Sequence, residues 1–469
     1  MTSRPVTLGG LRRSGWQSVP VKEEIRRNVA ARLRSGGQIV SGLVGYEDTV
    51  LPQLENALLA GHDVIFLGER GQAKTRMIRS LTGLLDEWIP IVAGSEILDD
   101  PYRPVSRYAR DLVAEQADDC PIAWVHRDER LGEKLATPDT SIADLIGEVD
   151  PIRVAEGRYL SDELTLHYGL VPRTNRGIFA VNELPDLAER IQVGLLNVLE
   201  ERDIQVRGYK IRLPLDILLV ASANPEDYTN RGRIITPLKD RFGSQIRTHY
   251  PLDVEAEMAV VEQEATKADL PGVVLKVPQF MSEVVATLTH LARQSPHINQ
   301  RSGVSVRLSV ANQEIMVASS LRRALRLGEP DAAPRIADLE SLAASTLGKV
   351  ELDSIDDSRE NHVVEALIAQ AVIGVFRSSV PADKLKAVGA DFEGGRVLHS
   401  GDDVTASDLV ETLGEFPGLR EAVASIGSIA GSESPSVIAS GVEFVLEGMH
   451  LTKRLNKDQS GSRSLYRAR

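Results

Sequence analysis

The fold is decided by the stretch from Val64 to Arg76, VIFLGERGQAKTR. Val64-Ile65-Phe66-Leu67 is a four-residue apolar run, the length of a buried strand. The chain turns at Gly68, passes Gly71 and reaches Lys74-Thr75, after which Met77, Ile78 and Leu81 recur at helical spacing. Strand, glycine-bearing loop and Lys-Thr at a helix start make the context of a phosphate-binding loop. Backbone N–H groups along Gly68, Glu69, Arg70, Gly71, Gln72, Ala73, Lys74, Thr75 and Arg76 would cradle phosphate oxygens. Lys74 would reach the β- and γ-phosphates of a nucleotide, and the Thr75 hydroxyl would ligate Mg²⁺. The pattern G-x-x-x-x-G-K-[ST] is met except at Ala73, which stands where the second glycine usually sits. The competing reading is a plain strand–turn–helix corner with a chance lysine, and the context on both sides argues against it.

At 469 residues the chain can hold two or three domains of roughly 100–200 residues each. Hydrophobic residues at 42% and charged residues at 26% suit a soluble globular protein, and aromatics at 4% point to aliphatic cores. A net charge of −13 argues against a nucleic-acid-wrapping surface, which relies on clustered Lys and Arg, so no DNA binding is expected. The single cysteine, Cys120, excludes an intramolecular disulfide and fits a reducing compartment. No apolar run approaches the ~20 residues of a membrane span. The opening MTSRPVTLGGLRRSGW lacks the apolar region of a secretory signal, so a cytoplasmic location without a membrane partner is expected.

Residues 1–38 read as a basic tail and one helix, with Ile25, Val29 and Leu33 at i, i+4 and i+8 and Gly36-Gly37 as the stop. A basic arm of this kind could contact RNA or an acidic neighbour; a helix docked on its own domain is the favoured reading. Around Val44, a short apolar segment lies one helix ahead of the loop, where many P-loop motors hold the adenine. Farther on, Ile91-Val92-Ala93 and Ile122-Ala123-Trp124-Val125 read as strands. His126 to Lys134 reads as a solvated charged loop, without a second histidine or a cysteine at metal-ligand spacing. Cys120 reads as a small buried side chain rather than a nucleophile.

The second decisive stretch is RGIFAVNELPDL, Arg176 to Leu187. Ile178-Phe179-Ala180-Val181 is another buried-strand run, ending in Asn182-Glu183. A P-loop ATPase needs acids at the end of a neighbouring parallel strand, where ligands gather in open α/β sheets. One helps hold the Mg²⁺ shell and the next orients or deprotonates the attacking water. Glu183 is placed for the second task. The first position, normally aspartate, is Asn182, whose carbonyl oxygen can accept from a metal-bound water but brings no charge. A third run, Ile217 to Ala223, ends on Asn224-Pro225. Asn224 could bond the γ-phosphate or the lytic water; the alternative is a simple Asn-Pro turn, and the two phosphate elements already placed favour the sensor role.

In this order the elements resemble a ring-forming AAA+ ATPase, and more narrowly the magnesium-chelatase subunit I and MoxR branch, from about Val40 to about Leu325. Gly68 to Thr75 matches the Walker A loop, Ile178 to Glu183 matches Walker B apart from Asn182, and Asn224 matches the first sensor. The resemblance makes Arg241, in PLKDRFG, the arginine finger that reaches the γ-phosphate bound by a neighbouring subunit; the alternative is a local salt bridge with Asp240. Arg307, in GVSVRLS, takes the place of the lid-domain sensor arginine. Gly157 to Arg173 lies where this branch inserts a hairpin.

The implied fold is α/β, a P-loop AAA+ core with a parallel sheet flanked by helices, then a helical lid and a mostly helical C-terminal extension. The boundaries expected are 1–38 for the N-terminal tail and helix, 39–251 for the nucleotide-binding domain, 252–348 for the lid and 349–469 for the extension. Within the extension, Val437 to Lys457 reads as a closing helix and SGSRSLYRAR as a disordered basic tail. ATP and Mg²⁺ are the implied cofactors. A homo-oligomeric ring, hexameric in the family, is the implied assembly, and a protein with a von Willebrand factor A domain is the implied partner. The output is then remodelling of that partner or Mg²⁺ insertion into protoporphyrin. An enhancer-binding transcription activator would carry a GAFTGA loop and a C-terminal helix-turn-helix, and neither is visible. A weakly hydrolysing scaffold, suggested by Asn182 and Ala73, is the third possibility.

Overall fold

A computed structural model of the chain describes residues 4–149, 163–201, 203–205, 212–224, 233–300, 303–352, 357–461 and 463–469. It divides into two compact units, Met1–His249 and Tyr250–Arg469.

The first unit is built on five parallel strands, β1 (Val64–Leu67), β2 (Leu131–Leu135), β3 (Gly177–Asn182), β4 (Ile217–Ala223) and β5 (Ser244–Arg247), in the order β5-β1-β4-β3-β2. Alternate residues serve opposite faces. Val64, Phe66, Ile178, Ala180, Leu218 and Val220 pack on one side against α1 (Val21–Arg34), α2 (Val50–Ala60) and α3 (Lys74–Ser80). Ile65, Phe179, Val181, Leu219 and Ala221 pack on the other, against Ile191 and Leu195 of α4 (Glu189–Glu201) and Leu238 of α5 (Thr236–Arg241). Burial on both faces is why these strands read as unbroken apolar runs. Truncating the fully buried Phe66 to alanine would cost about 3–5 kcal/mol.

Helix α1 is docked on this unit through Val21, Ile25 and Val29. Its Glu24 accepts two bonds of 2.7 Å from the buried Arg130 guanidinium, which also donates to the Arg176 carbonyl at 2.8 Å. Arg130 introduces a correction. The segment His126 to Lys134, expected as a solvated loop, runs into β2, the edge strand of the central sheet. Its charged residues hide the strand because one edge faces solvent, with Leu135 58% exposed. Trp88–Val92 and Ile122–His126 are strands, but they pair with each other, antiparallel, outside that sheet. Of the expected hairpin insert, residues 157–162 lie outside the described residues; Leu166–Tyr168 pairs antiparallel with Gly147–Val149.

In the second unit, α6 (Val254–Glu264), α7 (Gln279–Gln294), α8 (Arg307–Leu327), α9 (Asp357–Ser379) and α10 (Pro435–Leu451) are the longer helices. Phe280 and Leu308 from the 252–348 segment share one hydrophobic core with Phe376, Phe416, Phe444 and Tyr466 from the 349–469 segment. The end of the chain departs from expectation. The closing helix stops at Leu451, and β7 (Leu455–Ser460) and β8 (Arg463–Ala468) form an antiparallel hairpin that adds to β6 (Val397–Gly401). The segment read as a disordered tail is therefore a strand, anchored by the buried Tyr466, whose hydroxyl donates to Glu447 at 2.6 Å. Among the described residues no single helix is long and apolar enough to cross a membrane.

Candidate functional site

The carboxyl ends of β1, β4 and β3 lie side by side, with Leu67 opposite Ala223 and Ala221 opposite Val181. The loop after β1 therefore faces the residues that follow the other two strands. Gly68 donates its N–H to the Ala223 carbonyl at 3.1 Å, and a Cβ on it would stand 1.8 Å from Thr248 Oγ1, so only glycine fits. Gln72 pins the loop from within: its Oε1 accepts from the Glu69 N–H at 3.0 Å and the Thr248 hydroxyl at 2.6 Å. Gly71 and Ala73 are both left-handed, at φ 77 and φ 54, which turns successive N–H groups inward as an anion-binding nest.

Lys74 opens α3 and is 6% exposed. Its ammonium donates to the Gly68 carbonyl and, at 2.8 Å, to the Glu69 carbonyl. Thr75 follows it, half-buried, and Arg70 and Arg76 are exposed on either side. Ahead of the loop, Val44 is half-buried between the buried Leu43 and Tyr46. The Tyr46 hydroxyl lies between the Gln72 carbonyl at 2.9 Å and the His249 carbonyl at 2.8 Å, its single proton shared by the two, joining that segment to the loop. Burial pushes its phenol up to about 12. A cavity of about 360 Å³ opens beside the loop, lined by Gly68, Glu69, Gln72, Lys239, Arg247 and Thr248 among others.

Asn182 closes β3 at 7% exposure; its Oδ1 accepts from the Ser222 hydroxyl at 3.2 Å and its Nδ2 donates to Glu133 at 2.6 Å. Glu183 is left-handed (φ 55, ψ 49), and its N–H donates to Ser222 Oγ at 3.2 Å. Asn224 is 4% exposed, and its Oδ1 is buried with no hydrogen-bond partner among the described residues. A buried acceptor without a donor costs free energy unless a ligand or water supplies one. The nest and the Lys74 ammonium suit the phosphates of a bound nucleoside triphosphate, and the orphaned oxygen suits a water held beside them. Among the described residues no group of three His, Cys, Asp or Glu could hold a metal ion alone. The Thr75 hydroxyl and Asn182 suit Mg²⁺, which keeps waters and phosphate oxygens in its shell.

Arg241 closes α5 with 42% of its side chain exposed and its guanidinium 3.9 Å from Asp240. Arg307 opens α8 in the second unit, exposed, its N–H donating to Ser305 Oγ at 3.1 Å. Sequence reasoning missed Glu133 and Ser222, which link Asn182 to its surroundings. Ser222 was visible in the strand-ending ASAN; Glu133 gave no signal inside a run of charges.

The Sigma-54 interaction domain family matches residues 156–241. The magnesium-chelatase 38 kDa subunit of Cereibacter sphaeroides is 29% identical over 243 residues, 49% of this chain and 64% of that protein. The magnesium-chelatase subunit ChlI of Nephroselmis olivacea is 30% identical over 243 residues, 49% of this chain and 62% of that protein. The chain thus spans about three fifths of the length of the first of the curated relatives it matches. A cryo-EM-based model of the complex between subunits BchI and BchD of magnesium chelatase is similar at 22% identity and a TM-score of 0.35, covering 69% of this chain and 97% of that one. The phosphate-binding loop, the parallel sheet that carries it and these sequence matches make the chain similar to AAA+ ATPases, with magnesium-chelatase I subunits among the proteins it resembles.

Proposed function

We propose that the chain binds ATP and Mg²⁺, hydrolyses the nucleotide as a subunit of a homo-oligomeric ring, and uses the cycle to remodel or activate a partner protein in a reducing, cytoplasmic compartment. The observation that carries this reading is the convergence of Lys74, Asn182, Glu183 and Asn224 at the ends of three adjacent strands. ATP with Mg²⁺ supplies the phosphoryl group and draws charge from its oxygens. The nest from Gly68 to Ala73 fixes the phosphates through backbone N–H groups, and Lys74 leaves the Gly68 and Glu69 carbonyls to meet them. Glu183 takes the attacking water's proton or orients it, while Asn224 Oδ1 accepts from the same water. Arg241, on the exposed end of α5, adds positive charge to the site of a neighbouring subunit.

The remodelling reading is MoxR-like, with a ring of six and a partner carrying a von Willebrand factor A domain. A second reading, the ATPase subunit of a magnesium chelatase that drives Mg²⁺ as substrate into protoporphyrin, is favoured by the names of the 29–30% identical relatives. Glu183→Gln tests the shared part. ATP should still bind and turnover should fall about 10²–10⁴-fold, the usual loss of a general base. Unchanged turnover would remove Glu183 from the mechanism. Proteins retained by the ATP-loaded variant then separate the outputs: a von Willebrand factor A protein alone favours remodelling, and porphyrin-pathway proteins favour the chelatase.

A further inference from the structure

The position that ordinarily brings a negative charge to the Mg²⁺ shell is an amide here, and the carboxylate next to it comes from a different strand. Glu133 lies on β2 opposite Ala180, and Leu135 opposite Asn182, so Glu133 and Asn182 project from the same face of the sheet. That face is the one covered by α3, which begins with Lys74 and Thr75. Glu133 Oε1 stands 2.6 Å from Asn182 Nδ2. A carboxylate can only accept, so it must take the NH₂ side of the amide. The Asn182 carbonyl oxygen is thereby turned toward the Ser222 hydroxyl, whose oxygen in turn accepts from the N–H of Glu183. With two lone pairs, the Asn182 oxygen keeps one acceptor site beyond the Ser222 hydroxyl.

We infer that Glu133 and Asn182 act together as the split equivalent of one aspartate: Asn182 presents the oxygen to a Mg²⁺-bound water, and Glu133 behind it supplies the charge and fixes the amide. This rests on the nucleotide-site reading above. Charge-assisted bonds of this kind polarise the group they hold, as carboxylates do behind metal-bound histidines. Arg79 tunes the arrangement. It lies on α3 and grips the same carboxylate, Nε to Oε2 at 2.8 Å and Nη2 to Oε1 at 3.2 Å, with 64% of its side chain exposed. Glu133 in return pushes the Arg79 guanidinium pKa up through their hydrogen bond. Glu133 is thus a positioning residue, shared between the metal side and a surface cation.

The test is ATP binding to the full chain by calorimetry, once in EDTA and once with Mg²⁺ titrated. Glu133→Gln should leave the EDTA affinity unchanged and raise the Mg²⁺ needed for tightening about 10–100-fold, the usual loss on removing an outer-shell partner. Asn182→Asp alone sets two carboxylates in contact and should not improve Mg²⁺ coupling. Glu133→Gln combined with Asn182→Asp should restore it, the charge having moved across the pair. Arg79→Gln should keep or strengthen the coupling. Overturning results are an unchanged Mg²⁺ requirement in Glu133→Gln, full recovery with Asn182→Asp alone, or the same loss in Arg79→Gln, which would make Glu133 only an anchor for α3. A wild-type chain that binds no ATP in either condition would sink the nucleotide site itself, an outcome distinct from ATP binding in EDTA without the expected Mg²⁺ pattern.

Discussion

Ala73 holds φ 54 and ψ 17 immediately before α3, a left-handed conformation an L side chain adopts at a cost of about 1–2 kcal/mol. The strain lies where the loop proposed to hold phosphate turns its N–H groups inward. Ala73→Gly should remove it, against the roughly 0.5–1 kcal/mol that glycine's extra freedom costs on folding. The expected net is a gain of up to about 1.5 kcal/mol, at roughly 2–4 °C per kcal/mol in the first unit's unfolding midpoint, with ATP affinity undiminished. A lower midpoint would mean that the alanine methyl contributes packing worth more than the strain. The departure at this residue is legible in the sequence as a broken glycine pattern, and so is Asn182. What compensates Asn182 is not legible. Glu133 lies 49 positions away on the chain, and only strand pairing brings the two side chains together.

At the scale of elements, strands buried on both faces announce themselves and strands with one open edge do not. β1, β3 and β4 are apolar runs bounded by turn residues, and their order of appearance gives the core. β2 reads Leu-Gly-Glu-Lys-Leu and the β7–β8 hairpin is mostly polar, because each buries only part of one face. Among the helices, α7 carries a pH dependence. Burial, aided by Arg293, holds the His290 imidazole below its ordinary value, against the opposing pull of Glu257 and Asp253. The neutral form is therefore favoured in the folded unit, whereas the unfolded chain takes up a proton near pH 6.5. The stability this contributes is present above that pH and lost as pH falls through it toward the lower folded value. Unfolding midpoints measured between pH 7.5 and 5.5 should fall with acid. His290→Asn should flatten the slope; an equal slope in the variant would assign the effect to other groups.

At the scale of the molecule, an arginine that serves a neighbour, the role proposed for Arg241, would make turnover a property of assembly. Arg241 is half-exposed at the end of α5, beside Asp240, and a single exposed pair of this kind is worth little to folding. Arg241→Ala should therefore fold, bind ATP with wild-type affinity and lose on the order of 10³-fold or more in turnover, the scale of a missing finger. A purely local salt bridge gives a different pattern, because its loss would leave turnover per bound nucleotide unchanged. Wild-type turnover per chain should also rise with protein concentration until rings saturate. Mixing decides between a finger within the chain and one across subunits. Arg241→Ala chains retain Glu183, and Glu183→Gln chains retain Arg241, so at an interface between them one composite site is whole. Two inactive preparations should regain activity on mixing with ATP and Mg²⁺. Mixed oligomers that form and stay inactive would place Arg241 in the site of its own chain.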